Sequence, residues 1–188
     1  SLLITGDEEG VAINGTKKVV DYLKKKKEKI NFCIVGEPTN PKKLGEMIKI
    51  GRRGSLSGKI EIFGTQGHVA YPHLSNNPIN TMILICKKLN DLKLDKGNKN
   101  FQPSNLEFTS IDVDNNAHNV IPSRAKAQFN IRYNNIHNAA SLKKKIEGIL
   151  KNISRKNKCS YKISYEVSGE AFLTKPEKTI HMARNIIK

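Results

Sequence analysis

Between Gly54 and Ser168 the spacing of apolar residues switches from two to about 3.6 and back, twice, and that alternation leaves few architectures open. In SLSGKIEIFGTQG, Leu56, Ile60 and Ile62 take the alternating positions of a half-buried strand. After the loop HVAYPHLSNN, Pro78 stands where a helix accepts proline at its first position, and Met82, Ile83, Cys86 and Leu89 form an apolar stripe at helical spacing. NLEFTSIDVD and SRAKAQFNIRY alternate again and predict two strands. AASLKKKIEGILKNISRK then aligns Leu142, Ile146, Ile149, Leu150 and Ile153 on one helix face, and YKISYEV predicts a last strand. The order βαββαβ over residues 54–168 predicts a split-βαβ sandwich, two helices on one side of four antiparallel strands.

The flanking segments predict a different layout. LLIT, a helical stretch after Asn14-Gly15 in which Val19, Val20 and Leu23 share a face, and NFCIVG read as strand, helix, strand, a βαβ unit with parallel strands. Carboxylates follow both strands: Asp7, Glu8 and Glu9 in TGDEEG, and Glu37 in GEPT. Open parallel sheets bind ligands at that edge. Adjacent carboxylates repel one another, so a divalent metal held among them is one reading, and an acidic helix-entry loop with Glu37 as a surface turn residue is the other. SGEAFLTKPE predicts the return to this first part, and Thr179 to Lys188 a helix cut short. The expected organisation is α+β: a small domain, 54–168, inserted into an α/β part formed by 1–53 and 169–188. Ser1 directly in a strand and Lys188 inside a helix predict a piece of a longer protein.

With 188 residues, 37% of them apolar, the chain can bury one or two modest cores. No run approaches the roughly 18 apolar residues of a membrane span and no secretory leader opens it, so a soluble cytoplasmic protein without a membrane partner is expected. Cys33, Cys86 and Cys159 lie far apart with no CxxC pair and read as small buried hydrophobes in a reducing compartment. The net charge of +16 raises the question of nucleic acid. It is spread as +5, +9 and +2 over 1–53, 54–168 and 169–188, and the runs Lys24–Lys27 and Lys143–Lys145 fall on solvated helix faces. AQFNIRY lacks the aromatic order of RNA-binding strands. No nucleic-acid partner is expected, whereas a small anionic substrate suits the positive field.

LLITGDEEG, CIVGEPT with Glu37 placed 28 positions after Glu9, IKIGRRGSLSGKIEIFGTQGHVAYPH, NVIPSRA and SGEAFLT together resemble the di-zinc aminoacylase and carboxypeptidase family, over nearly the whole chain. The resemblance implies a di-zinc exopeptidase-like catalytic domain, two zinc ions per subunit, and an inserted ferredoxin-like lid that makes a homodimer. Glu8 matches the family's general base, and Glu9 and Glu37 match metal ligands. By spacing alone His68 is an exposed loop histidine or half of a metal pair with His73. The resemblance implies instead that it reaches across the dimer and stabilises an oxyanion in the partner's site. Tyr71 becomes a neighbouring substrate contact. Arg52, Asn119 and Arg132 match substrate-binding positions, where a guanidinium suits carboxylates. Arg132 alternates with Phe129, Ile131 and Tyr133, so an exposed strand charge remains the other reading, and Arg52 and Arg53 are equally placed to face the site.

The implied activity is a zinc-dependent amide hydrolase that takes succinate from a succinylated diamino diacid of lysine biosynthesis. A deacetylase of acetylornithine type within the same family is the near alternative, and a dimerisation or binding module without catalysis is the distant one. The family's strand-borne His-x-Asp, bridging Asp and final His ligand have no counterpart here. His68, His73, His118, His137 and His181 all lie in or after the lid. With Glu9 and Glu37 alone the ligand set falls short of the three that zinc generally takes, so this chain is expected to be inactive and metal-free. Ala171 stands where the family usually has proline.

Overall fold

A computed structural model of the chain describes residues 2–10, 12–37 and 39–187. It divides into two compact units, one up to Thr39 and the other from Asn40 onward.

In the first unit one helix forms, α1 (Thr16–Lys25), with no buried residue. Gly15 is its N-cap and offers no side-chain acceptor. Asp7 organises the approach instead: its Oδ2 accepts hydrogen bonds from the backbone N–H of Ile13 at 2.9 Å and Asn14 at 2.7 Å. LLIT and NFCIVG are not the strands their apolar runs predict, since residues 2–5 and 31–36 have no strand pairing. Leu2, Ile4, Ile34 and Val35 are exposed. Parallel strands persist when both faces are covered, and a single helix with no buried side chain covers neither.

The second unit runs β1 (Gly51–Arg52), β2 (Gly54–Phe63), β3 (Gly67–His68), α2 (Pro78–Asn90), β4 (Asn105–Asp112), β5 (Val120–Ile121), β6 (Arg124–Tyr133), α3 (Ala139–Lys156), β7 (Ser160–Gly169), β8 (Phe172–Leu173) and α4 (Lys178–Ile187). Four strands make one antiparallel sheet in the order β4-β6-β2-β7. With α2 and α3 joining them, this is the predicted split-βαβ arrangement. Helix α2 packs on β2, β4 and β6, α3 packs on β2 and β7, and the two helices touch.

The alternating strands explain the core. Leu56, Ile60 and Ile62 of β2 and Phe129 and Ile131 of β6 point to the helices and are fully or almost fully buried. They meet Ile85 and Leu89 of α2 and Leu142, Ile146 and Leu150 of α3. The predicted stripe on α2 is turned by part of a residue step: Ile83 is 58% exposed and Ile85 is buried in its place. Residues 82–86 are all apolar, so the stripe has two registers, and packing selects the one containing Thr81, Met82 and Ile85. Both helix starts are capped. Asn77 Oδ1 accepts from Ile79 N at 2.9 Å, and Asn138 with Ser141 forms a capping box.

A polar hub ties the loops at one end of the sheet. The Asp95 carboxylate accepts from Gly97 N at 2.6 Å, Asn134 Nδ2 at 2.7 Å and Ser104 N at 3.2 Å, with His137 Nε2 3.2 Å from its other oxygen. Burial by itself would raise this carboxyl. The hydrogen bonds from Ser104, Gly97 and Asn134 outweigh it and hold the group down at about 2. An unfolded chain binds this proton at a higher pH, so the contribution is complete above about 4 and is lost as pH falls from there towards 2. We expect the urea-unfolding free energy of the chain to drop by about 2 kcal/mol over that window through this group. Asp95→Asn should flatten that part of the drop, and an unchanged pH slope in the variant would remove the hub from the account.

Candidate functional site

Glu8 and Glu9 lie in the turn that follows Asp7, exposed, while Asp7 itself is taken up by the backbone before α1. Glu37 is exposed at the end of the second apolar run, its carbonyl accepting from Thr39 N at 2.7 Å. Among the described residues no three His, Cys, Asp or Glu side chains converge as a metal ion needs. Two exposed carboxylates, Glu9 and Glu37, therefore do not fit a zinc site on their own, because zinc takes at least three protein ligands, commonly including nitrogen or sulfur.

The remaining candidates fall into two groups at opposite ends of the sheet. At the Phe63 end, β3 and β5 form a small antiparallel ribbon in which His68 pairs with Val120, and Val69 N donates to Asn119 O at 3.0 Å. His68 and Asn119 are thus backbone neighbours across the ribbon, and both are exposed. The Tyr71 ring lies 5.9 Å from the His68 ring and 6.4 Å from that of His73. Ala70 N donates to His68 Nδ1 at 3.1 Å. That bond needs a lone pair on Nδ1, so in the neutral ring Nε2 carries the proton and is the nitrogen left to donate. Gly67 is required at this bend because a Cβ there would stand 2.8 Å from Ser75 Cβ.

At the Gly54 end, Arg132 of β6 is opposite Ser55 on one side and Asn105 on the other, and its side chain is exposed. Arg53 is occupied: its Nη1 donates to Asn105 Oδ1 at 3.0 Å and to Pro103 O at 3.5 Å. Arg52 pairs through its backbone with Phe172 of β8, and its guanidinium has no hydrogen-bond or ion-pair partner among the described residues. Of the two adjacent arginines, Arg52 is the more exposed, and Arg53 is the one with hydrogen-bond partners. The ten residues of β2 separate the two groups, about 30 Å of extended chain. One small molecule cannot touch His68 and Arg132 of the same chain.

Sequence reasoning missed an open cleft of about 470 Å³ beside the β3–β5 ribbon, lined in part by Gln66, Asp112, Asp114, Arg124 and Lys126. Nothing local in the sequence marks it, because its walls come from segments that alternation places on separate strands.

Residues 50–158, more than half of the chain, match the family described as the peptidase dimerisation domain. The chain belongs to this family. Two relatives share far more than this domain. The succinyl-diaminopimelate desuccinylase of Pelagibacter ubique is 64% identical over 188 residues, all of this chain and 49% of its own length. That of Parvibaculum lavamentivorans is 52% identical over 176 residues, 94% of this chain and 45% of its own length. The chain thus spans about half the length of the curated relatives it matches. Among solved structures, a tripeptidase from Staphylococcus aureus superposes with a TM-score of 0.60 at 14% identity, covering 73% of this chain and 36% of the other. At that identity the likeness speaks for the family fold alone.

Proposed function

We propose that the full-length protein containing this chain hydrolyses the amide of N-succinyl-LL-2,6-diaminopimelate to succinate and the free diamino diacid, a step in lysine and diaminopimelate biosynthesis in the cytoplasm. The observation that carries the proposal is the 64% identity to the Pelagibacter ubique desuccinylase over every residue of the chain. Residues 1–53 and 169–188 belong to its catalytic domain in this reading, and 54–168 form the lid. Two zinc ions per subunit are its cofactor, with Glu9 and Glu37 as two ligands of a set that this chain does not complete.

Each of the chain's own residues has a task the chemistry requires. Arg52 and Arg132, two exposed guanidiniums at one end of the lid, bind the substrate's carboxylates by charge-assisted hydrogen bonds. Glu8, a carboxylate left out of the ligand set, takes a proton from the attacking water and delivers it to the leaving amine. His68 points Nε2–H at the amide oxygen as it gains negative charge, flanked by Tyr71 and Asn119. Because most of the length of β2, about 26 Å from Ser55 opposite Arg132 to Phe63, lies between Arg132 and the ribbon that carries His68, the two ends of the lid serve different sites, as they do if His68 reaches the partner of a homodimer. Ile83 of α2, 58% exposed, and Ile111 on the edge strand β4, 61% exposed, offer that homodimer an apolar surface.

The test is a direct comparison of succinyl and acetyl amides as substrates of the purified full-length protein. Preferential release of succinate supports the proposal. Preference for the acetyl amide would move the protein to the deacetylase reading, and hydrolysis of neither would leave a dimerisation module.

A further inference from the structure

The chain enters the lid through β1 and leaves it through β8, and these two strands pair with each other, Gly51 opposite Leu173 and Arg52 opposite Phe172, with Thr174 N donating to Ile50 O at 2.7 Å. Arg52 therefore stands on a two-residue ribbon rather than on the main sheet. So short a ribbon has little stability of its own.

One cluster fastens it. Tyr133, fully buried at the end of β6, directs its hydroxyl to Glu170 Oε2 at 2.9 Å, with Gly169 O at 3.3 Å. The same carboxylate accepts from Ala139 N, the first N–H of α3, at 3.3 Å to both oxygens. A helix N-terminus favours a negative charge at this position. The Tyr133 ring also lies over Gly54, where a Cβ would stand 2.2 Å from the ring carbon Cζ. The cluster thus grips the incoming chain at Gly54, two residues after Arg52, and the outgoing chain at Glu170, two residues before Phe172. Burial and the neighbouring Glu170 carboxylate push the Tyr133 phenol up to about 12, so the hydroxyl stays a donor across the working pH range.

We infer that Glu170 is a positioning residue: by bridging Tyr133 and the start of α3 it holds the β1–β8 ribbon in one place and so sets where the Arg52 guanidinium meets its ligand. Its effect on catalysis rests on the proposed function, in which Arg52 binds a substrate carboxylate. Its effect on the ribbon does not.

Hydrogen exchange on the 188-residue chain tests the second point by itself. In Glu170→Ala the amides of 50–53 and 172–174 should exchange about 10-fold faster or more, with the interior of β2 and β6 within about 2-fold of wild type. Tyr133→Phe keeps the ring over Gly54 and should give a smaller acceleration in the same segments. An unchanged ribbon, or acceleration spread evenly through β2 and β6, would overturn the inference.

In the full-length protein Glu170→Ala should raise KM for the succinylated diamino diacid about 10-fold with kcat within about 3-fold. The double variant Arg52→Ala/Glu170→Ala should be no worse than Arg52→Ala alone by more than about 2-fold, since Glu170 acts through Arg52. Additive losses overturn the positioning role. If wild-type protein fails to cleave the succinyl amide, the proposed function falls, and the exchange measurement still decides whether Glu170 holds the ribbon.

Discussion

His68→Ala in the full-length protein lowers kcat for the succinylated substrate by about 10²–10³-fold, the size expected for losing one oxyanion donor. The Ala70 N–H bond to His68 Nδ1 leaves Nε2–H as the donor of the neutral ring, on an exposed side chain. Removing the ring takes away an interaction that strengthens as the amide oxygen gains charge, so the loss falls on kcat more than on KM. The exposed side chain holds up no core, and the fold and the dimer should survive the change. Sedimentation and metal content of the variant check that condition. Mixing His68→Ala with inactive Glu8→Ala then gives heterodimers in which one site has an intact Glu8 and receives His68 from the other chain. Random exchange in a two-fold dimer returns up to about a quarter of wild-type activity. No recovery after verified subunit exchange would mean that His68 serves its own subunit or none.

The βαββαβ unit was legible because each of its elements declares its buried face locally. Leu56, Ile60 and Ile62 alternate, and Leu142, Ile146 and Leu150 repeat at helical spacing, whatever they eventually touch. The apolar runs LLIT and NFCIVG were misleading for the complementary reason. Apolar composition states that a segment favours burial, and says nothing of whether neighbouring strands and covering helices are there to bury it. The polar hubs left no trace at all. Asp95 meets Asn134 across 39 residues and Tyr133 meets Glu170 across 37, and no spacing rule reaches so far. The candidate site residues came from resemblance to a family, and resemblance names residues without distances. That His68 and Arg132 lie at opposite ends of ten-residue strands follows only from the register of β2 against β6.

Gly58→Ala destabilises the chain by about 3 kcal/mol, although it adds one methyl group and improves strand propensity. Gly58 is opposite Phe129 in the β2–β6 register, and the tip of the Phe129 ring covers it: a Cβ would stand 2.2 Å from Cζ and 2.4 Å from Cε1. An aromatic ring covering a glycine on the neighbouring strand is a stabilising cross-strand pair that works only while the glycine has no side chain. Phe129 has little room to swing aside, because it is 1% exposed and packs against Phe108 in a T-shaped pair, ring centres 6.1 Å apart. Gly148 of α3 is the control. A Cβ there meets nothing within 4 Å, so Gly148→Ala should stabilise by about 0.5–1 kcal/mol through helix propensity alone. Urea unfolding of the 188-residue chain should therefore shift in opposite directions for the same chemical change. Combining Gly58→Ala with Phe129→Leu makes room for the new methyl, and the double variant should lose about 1–2 kcal/mol less than the sum of the single losses. Strict additivity of the two would show that the ring over Gly58 is not what sets the cost.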